Sequence, residues 1–153
     1  ECPLPAEAAV TVAEPTDPHA PVEFLEARLP DPGEVDRLRG IVPVVSPAFD
    51  RAYGPLIAAG VETELVLPGA AFERAREAYP DSVARAEAAD NLTVAVSDRP
   101  IEVGVSLFPG EVFLGAYDEG GQFRACLHTD DTEVREWARD LVDEHSAAAR
   151  PVA

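Results

Sequence analysis

The chain has 153 residues, with 29 Asp and Glu against 12 Lys and Arg, a formal net charge of -17 and 46% hydrophobic residues. A single domain of this length buries roughly 68–70% of its unfolded surface, so the apolar content suffices for a core and the acidity does not signal disorder. The charge excludes binding of a nucleic-acid backbone by this chain alone, since that affinity comes from basic side chains displacing counterions, and no apolar run of 18 residues is present to cross a membrane as a helix.

Along the chain, Ala9–Ala13 alternates apolar and polar around Val10 and Val12, as a short strand does. Asp17 is placed to cap a helix opening at Pro18, with Val22, Leu25 and Leu29 on one face. Pro30–Gly33 breaks it, and Glu34–Arg39 reads as a helical turn closed by Gly40. Ile41–Val45 is a short apolar run, expected as a buried strand. Ser46 then Pro47 starts a helix carrying Phe49, Ala52, Tyr53, Leu56 and Ile57, which Gly60 stops; Gly54-Pro55 predicts a kink within it. Val61–Leu67 is the next strand, Ala70–Tyr79 a helix, and Pro80 a break before a helix Ser82–Ala89 capped by Asp81. Leu92, Val94 and Val96 open a further strand.

Strand, helix, strand, helix, strand in this rhythm predicts right-handed βαβ units and a parallel sheet. From Ile101 the rhythm changes to three strands with tight turns at Pro109-Gly110 and Glu119-Gly120-Gly121, an antiparallel meander. Asp130 with Glu133 resembles a capping box, and Val134, Trp137, Ala138, Leu141 and Val142 line one face of a closing helix. The tail after Ser146 is expected to fray. The predicted fold class is α/β, with βαβ units leading into an antiparallel meander and a C-terminal helix, in one domain over 1–153.

All 12 basic residues are Arg, and Lys and Met are absent. Excess carboxylate without Lys resembles the proteins of salt-in halophiles such as haloarchaea, whose surface repulsion is screened when the Debye length falls to about 3 Å near 1 M salt. With Glu1 first and no Met, the chain is expected to begin inside a longer polypeptide. Cys2 and Cys126 have no partner at metal-like spacing and read as free thiols in a reducing cytoplasm. Asn91-Leu92-Thr93 matches a glycosylation sequon by chance, at the start of an apolar strand. His19, His128 and His145 are scattered over different elements, so neither a metal nor a cofactor is expected. No Gly-x-Ser-x-Gly elbow supports a serine hydrolase.

The second half resembles a half-domain of the phospholipase-D-like fold. The active enzymes of that fold carry His-x-Lys-x-x-x-x-Asp on one strand and turn, and Gly-Ser-x-Asn on the next. Here Glu102, Gly104 and Pro109 stand at the His, Lys and Asp positions, and Gly115-Ala116-Tyr117-Asp118 at the Gly-Ser-x-Asn. The resemblance thus implies a retained fold without the histidine nucleophile or the phosphate-neutralising lysine. Further stretches, including Leu38-Arg39-Gly40-Ile41-Val42-Pro43-Val44-Val45-Ser46-Pro47 and Gly60–Pro68, make the chain similar to the middle domain of methanogenesis-regulator-type proteins. That family likeness implies a regulatory domain that senses a small-molecule effector and forms a homodimer, touches DNA only through a winged helix-turn-helix upstream of Glu1, and has no membrane partner. The alternatives are a degenerate phosphodiesterase or a purely structural oligomerisation module.

Ligands of open α/β sheets bind beyond the carboxyl ends of parallel strands. Those ends are predicted at Val45-Ser46, Leu67-Pro68-Gly69 and Ser97-Asp98-Arg99. Ser46 offers a hydroxyl at a helix start, against a plain cap; Phe49 and Tyr53 offer pocket walls, against core; Arg99 offers a cation for an anion, against a solvated turn. Asp98, Glu102, Ser106 and Tyr117 complete the candidate ligand-contacting set. From the charge alone we expect the far-ultraviolet circular dichroism of a folded domain near 1 M salt and its loss at about 50 mM; an unchanged spectrum and melt at low salt contradicts this.

Overall fold

The structure, a computed structural model, describes residues 8–152; Cys2 lies outside them. The elements run β1 (Ala9–Val12), α1 (Ala20–Arg28), a 3-10 turn (Pro32–Glu34), β2 (Arg37–Ile41), α2 (Pro47–Ala58), β3 (Glu62–Pro68), α3 (Gly69–Ala78) and α4 (Pro80–Ala88). They continue β4 (Leu92–Ser97), β5 (Val103–Phe108), β6 (Glu111–Tyr117), β7 (Phe123–Thr129), α5 (Thr132–Ala147) and β8 (Arg150–Pro151). One sheet contains all eight strands in the order β1-β7-β6-β5-β2-β3-β4-β8. β2, β3 and β4 are parallel, as the βαβ rhythm predicts, and β5, β6 and β7 form the antiparallel meander.

The two halves meet where β2 pairs antiparallel with β5, with Gly40 opposite Ser106. Side chains alternate across this sheet. Leu38, Phe108, Phe113 and Cys126 pack with Leu25, Tyr53 and Leu56 under α1 and α2. Ile41, Val66, Val105, Leu107 and Val112 pack on the other face against Val134, Ala138 and Val142 of α5. A third cluster, Leu65, Leu67, Phe72 and Val96, lies beside α3.

Several local expectations are corrected. Residues 34–39 do not form a helical turn, and the strand expected at Ile41–Val45 lies earlier, at Arg37–Ile41. Leu38 and Gly40 face one side while Arg39 reaches Asp143 of α5 at 2.7 Å and Glu64 of β3 at 2.9 Å, so two arginines conceal the alternation. α1 starts at Ala20 rather than Pro18, because the Asp17 backbone is engaged with Glu14. Pro80 begins α4 instead of preceding it, occupying the first turn where a missing N–H costs nothing. Pro55 lies inside α2, which continues past it to Ala58. The cap of α5 is Asp131, whose Oδ1 accepts from the Val134 N–H at 3.1 Å. The tail does not fray: Arg150 and Pro151 pair with Val96 and Ala95, and the Val152 N–H donates to the Val94 carbonyl at 3.1 Å. The Asn91 amide of the sequon donates to the carbonyls of Ile57 at 2.8 Å and Val61 at 2.9 Å, fastening the end of α2.

The junction of the halves tolerates no side chain on Gly40. A Cβ there would sit 2.8 Å from the Val105 carbonyl oxygen. Next to it, the buried hydroxyls of Tyr53 and Ser106 hydrogen-bond, attaching α2 to β5. Gly40→Ala should therefore lower stability by about 1–3 kcal/mol in denaturant melts, by forcing the two strands apart. Tyr53→Phe should cost about 1–3 kcal/mol by leaving the Ser106 hydroxyl unpartnered, and adding Ser106→Ala should recover most of that loss; additive losses in this double-mutant cycle would contradict the pairing.

Candidate ligand-binding site

Ser46, Phe49, Tyr53, Ser106 and Tyr117 converge on one small cavity between α2 and the β5–β6 hairpin. Sequence spacing alone makes this possible. Phe49 and Tyr53 are one helical turn apart, with ring centroids 4.8 Å apart. Ser106 lies on β5 with Gly104 two residues before it, and period-2 alternation sends both to the α2 face. Tyr117 ends β6 on the same face.

The floor is a trench made by two facing glycines. Gly104 of β5 is paired with Gly115 of β6. A Cβ on Gly104 would come within 3.2 Å of the Tyr117 ring, and one on Gly115 within 2.7 Å of the Phe123 ring. The rings of Tyr117 and Phe123 stack at 5.2 Å and occupy the space those side chains would take. What remains has a volume of about 40 Å³, room for water but far below the roughly 300 Å³ at which pockets take small molecules.

The cavity is chemically quiet. No charged side chain lines it among the described residues. Burial raises the Tyr53 phenol above its ordinary range, the hydrogen bond from Ser106 opposing only in part. Burial also pushes the Tyr117 phenol up to about 12. Cys126 beneath them is buried, which pushes its thiol up to about 12 against the weaker opposing influence of Arg28. A thiol held protonated is a poor nucleophile. The arrangement supplies neither an anionic nucleophile nor a cation for phosphate.

The other three candidates lie away from this cavity. Asp98 meets Arg150 at 3.5 Å and Arg99 meets Glu144 of α5 at 2.8 Å, fastening the end of the chain to the β4–β5 connection. Hydrogen bonding and the charge of Arg99 hold the Glu144 carboxyl below its usual range. Glu102 is exposed. Ser46 precedes α2 in extended conformation, and its side chain makes no capping bond. Ser46 and Phe49 also border a second, much larger cleft between α2 and the α3–α4 pair, which sequence reasoning did not find. Its far wall, with Phe72 and Val83, reads in sequence as ordinary amphipathic helix, and only the tertiary arrangement opens a cleft beside it. Among the described residues no group of three or more His, Cys, Asp or Glu is placed to hold a metal ion, and no helix is long and apolar enough to cross a membrane.

The likeness to solved structures is broad. NucT from Helicobacter pylori superposes with a TM-score of 0.71 at 12% identity, covering 95% of this chain and 99% of that one. Nuc from Salmonella typhimurium, a phospholipase D family member, gives 0.58 at 13%, with coverage of 95% and 99%. TrmBL2, an archaeal chromatin protein described with a novel mode of DNA binding, gives 0.63 at 16%; this chain is covered to 96% but spans only 55% of TrmBL2. At such identities the likeness shows the fold, which is phospholipase-D-like. No curated protein sequence matches. The family model of the methanogenesis regulatory protein FilR1, middle domain, matches residues 18–148. The phospholipase-D-like fold thus occurs here in a chain that a regulatory-protein family model matches over most of its length: the chain belongs to the FilR1 middle-domain family.

Proposed function

We propose that this chain is the non-catalytic, effector-sensing and dimerising domain of a DNA-binding transcriptional regulator, with the DNA contacts made by a winged helix outside it. The observation that carries the reading is the trench: Tyr117 and Phe123 lie where Gly104 and Gly115 leave room, and the residue types at the His and Lys positions are Glu102 and Gly104. Catalysis of phosphodiester transfer needs a nucleophile and positive charge at one place; no charged side chain lines the trench among the described residues, and Glu102 is exposed outside it. Membership of a regulatory family supports the same reading.

The mechanism is linkage. A ligand acts by its differential affinity for two arrangements of the pair of domains, and couplings of about 1–3 kcal/mol change DNA affinity about 5–150-fold. The -17 charge keeps the domain itself off the duplex and leaves contact to its basic neighbour.

Three measurements test this. In fluorescence anisotropy with a labelled duplex, this chain alone should give no binding, whereas a protein joining it to a winged helix should bind; DNA binding by the isolated chain contradicts the reading. With bis(4-nitrophenyl) phosphate in molar salt no turnover is expected, and cleavage that disappears in Glu102→Gln or Asp118→Asn would establish the enzyme instead. Sedimentation equilibrium should give twice the chain mass, and a monomer at all concentrations would remove the dimer from the proposal.

A further inference from the structure

The cleft between α2 and the α3–α4 pair has a volume of about 690 Å³, inside the roughly 300–1,000 Å³ range of small-molecule sites. Leu67 of β3 and Val94 of β4 form its floor, so it reaches the sheet. Phe49 and Ile57 stand on one side, Phe72 and Val83 on the other, and all four are apolar. No residue of α4 is fully buried, although Val83 packs against the third core cluster. The inward side of α4 is thus packed only in part, and Ser82, Val83 and Ala86 are half-buried along the cleft.

Charge is confined to the rim and largely cancelled there. Asp50 of α2 and Arg85 of α4 pair across the mouth at 3.2 Å. Ser82 lies between them, donating to Asp50 at 3.4 Å and accepting from Arg85 at 3.1 Å. Arg51 is engaged by Glu26 at 3.0 Å, and Glu87 adds a carboxylate to the same rim. An anion entering the cleft would approach a chain of net charge -17 and break the Asp50–Arg85 pair, whereas an uncharged molecule meets neither obstacle. The Ser82 hydroxyl and the paired charges offer one end of such a molecule a hydrogen bond.

We infer that this cleft is a binding site for an uncharged, largely hydrocarbon small molecule carrying a single hydroxyl or carbonyl group, with its apolar body on Leu67 and Val94 and its polar end at Ser82. The assignment deepens the sensing role and rests on it for its biological meaning. Occupancy would couple α2 to α4, and α2 is attached through Tyr53 to the junction of the two sheet halves.

Titration with the neutral fluorophore N-phenyl-1-naphthylamine in molar salt tests it on this chain. Saturable enhancement with one probe per chain is expected. The anionic anilinonaphthalenesulfonate should bind about tenfold more weakly. Ala86→Phe, which fills the cleft from α4, should weaken the neutral probe at least about tenfold with the circular dichroism unchanged. Gly54→Leu fills it from α2, where a Cβ would meet only the Asp50 carboxylate at 3.6 Å. Non-saturable fluorescence, equal or tighter binding of the anion, or unchanged binding in a folded filling variant overturns the site. Should neither variant fold, saturation and the preference between the two probes decide it. The titration reads occupancy alone, so it separates two failures. A probe that binds without altering DNA affinity of the winged-helix-bearing protein refutes the sensing role and leaves the site; the absence of probe binding refutes the site and leaves the sensing role.

Discussion

The close approach of β2 and β5 is the contact on which the remaining architecture depends. Parallel strands need helical crossovers and antiparallel ones need only turns, so a chain containing both must join them at one seam. Here the seam is Arg39–Ile41 against Val105–Leu107. Gly40 allows it, since its missing side chain lets the Val105 carbonyl come near. The neighbouring residue on β5, Ser106, hydrogen-bonds with the Tyr53 hydroxyl and fixes α2 over the same place. Through that contact the parallel half and the meander share one buried layer beneath α1 and α2.

The site follows from the same economy of small residues. Two strands away from Gly40, Gly115 faces Gly104, and the rings of Tyr117 and Phe123 take the space that side chains there would fill. Their burial contributes dispersion and apolar area. The ion pairs of the surface, by contrast, add little. Most join exposed partners, such as Arg37 with Glu64 and Arg150 with Asp98, and exposed pairs contribute about 0–1 kcal/mol and weaken as salt rises. Cohesion therefore rests on the three apolar clusters on the two faces of the sheet.

Much of this was readable in the sequence from Ser46 onward, because there the apolar spacing, the prolines and the glycine turns agree with the tertiary structure. The meander is the clearest case: Pro109-Gly110 and Gly120-Gly121 punctuate strands whose alternation matches the sheet faces. Reading failed where tertiary contacts govern. Arg37 and Arg39 disguise a central strand, since their charges are met by Glu64 and by Asp143 on a helix about a hundred residues on. The tail lacks any strand signature and is held only by β4. Within the candidate site, Tyr53, Ser106 and Tyr117 are brought together by the α2 start and by strand alternation, both local signals. Asp98 and Arg99 follow a predicted strand end, yet their partners come from the chain's tail and last helix. The α2–α4 cleft had no local signature, because an open space between helices is a property of their arrangement.

The two margins of the sheet differ in a way that bears on solubility. At ionic strengths that screen the carboxylates, mutual repulsion no longer keeps molecules apart, and exposed strand edges become the places where chains adhere. One margin is closed by β8, two residues long and containing Pro151, which has no N–H to offer a further ladder. The other is β1, four residues with Val10 and Val12 each 58% exposed. Among the described residues only one margin is thus free to extend. Filaments require adhesive surfaces at both ends of each unit, whereas a single such surface is used up by its own two-fold mate. In concentrated brine, adhesion along the strand edges would stop at pairs.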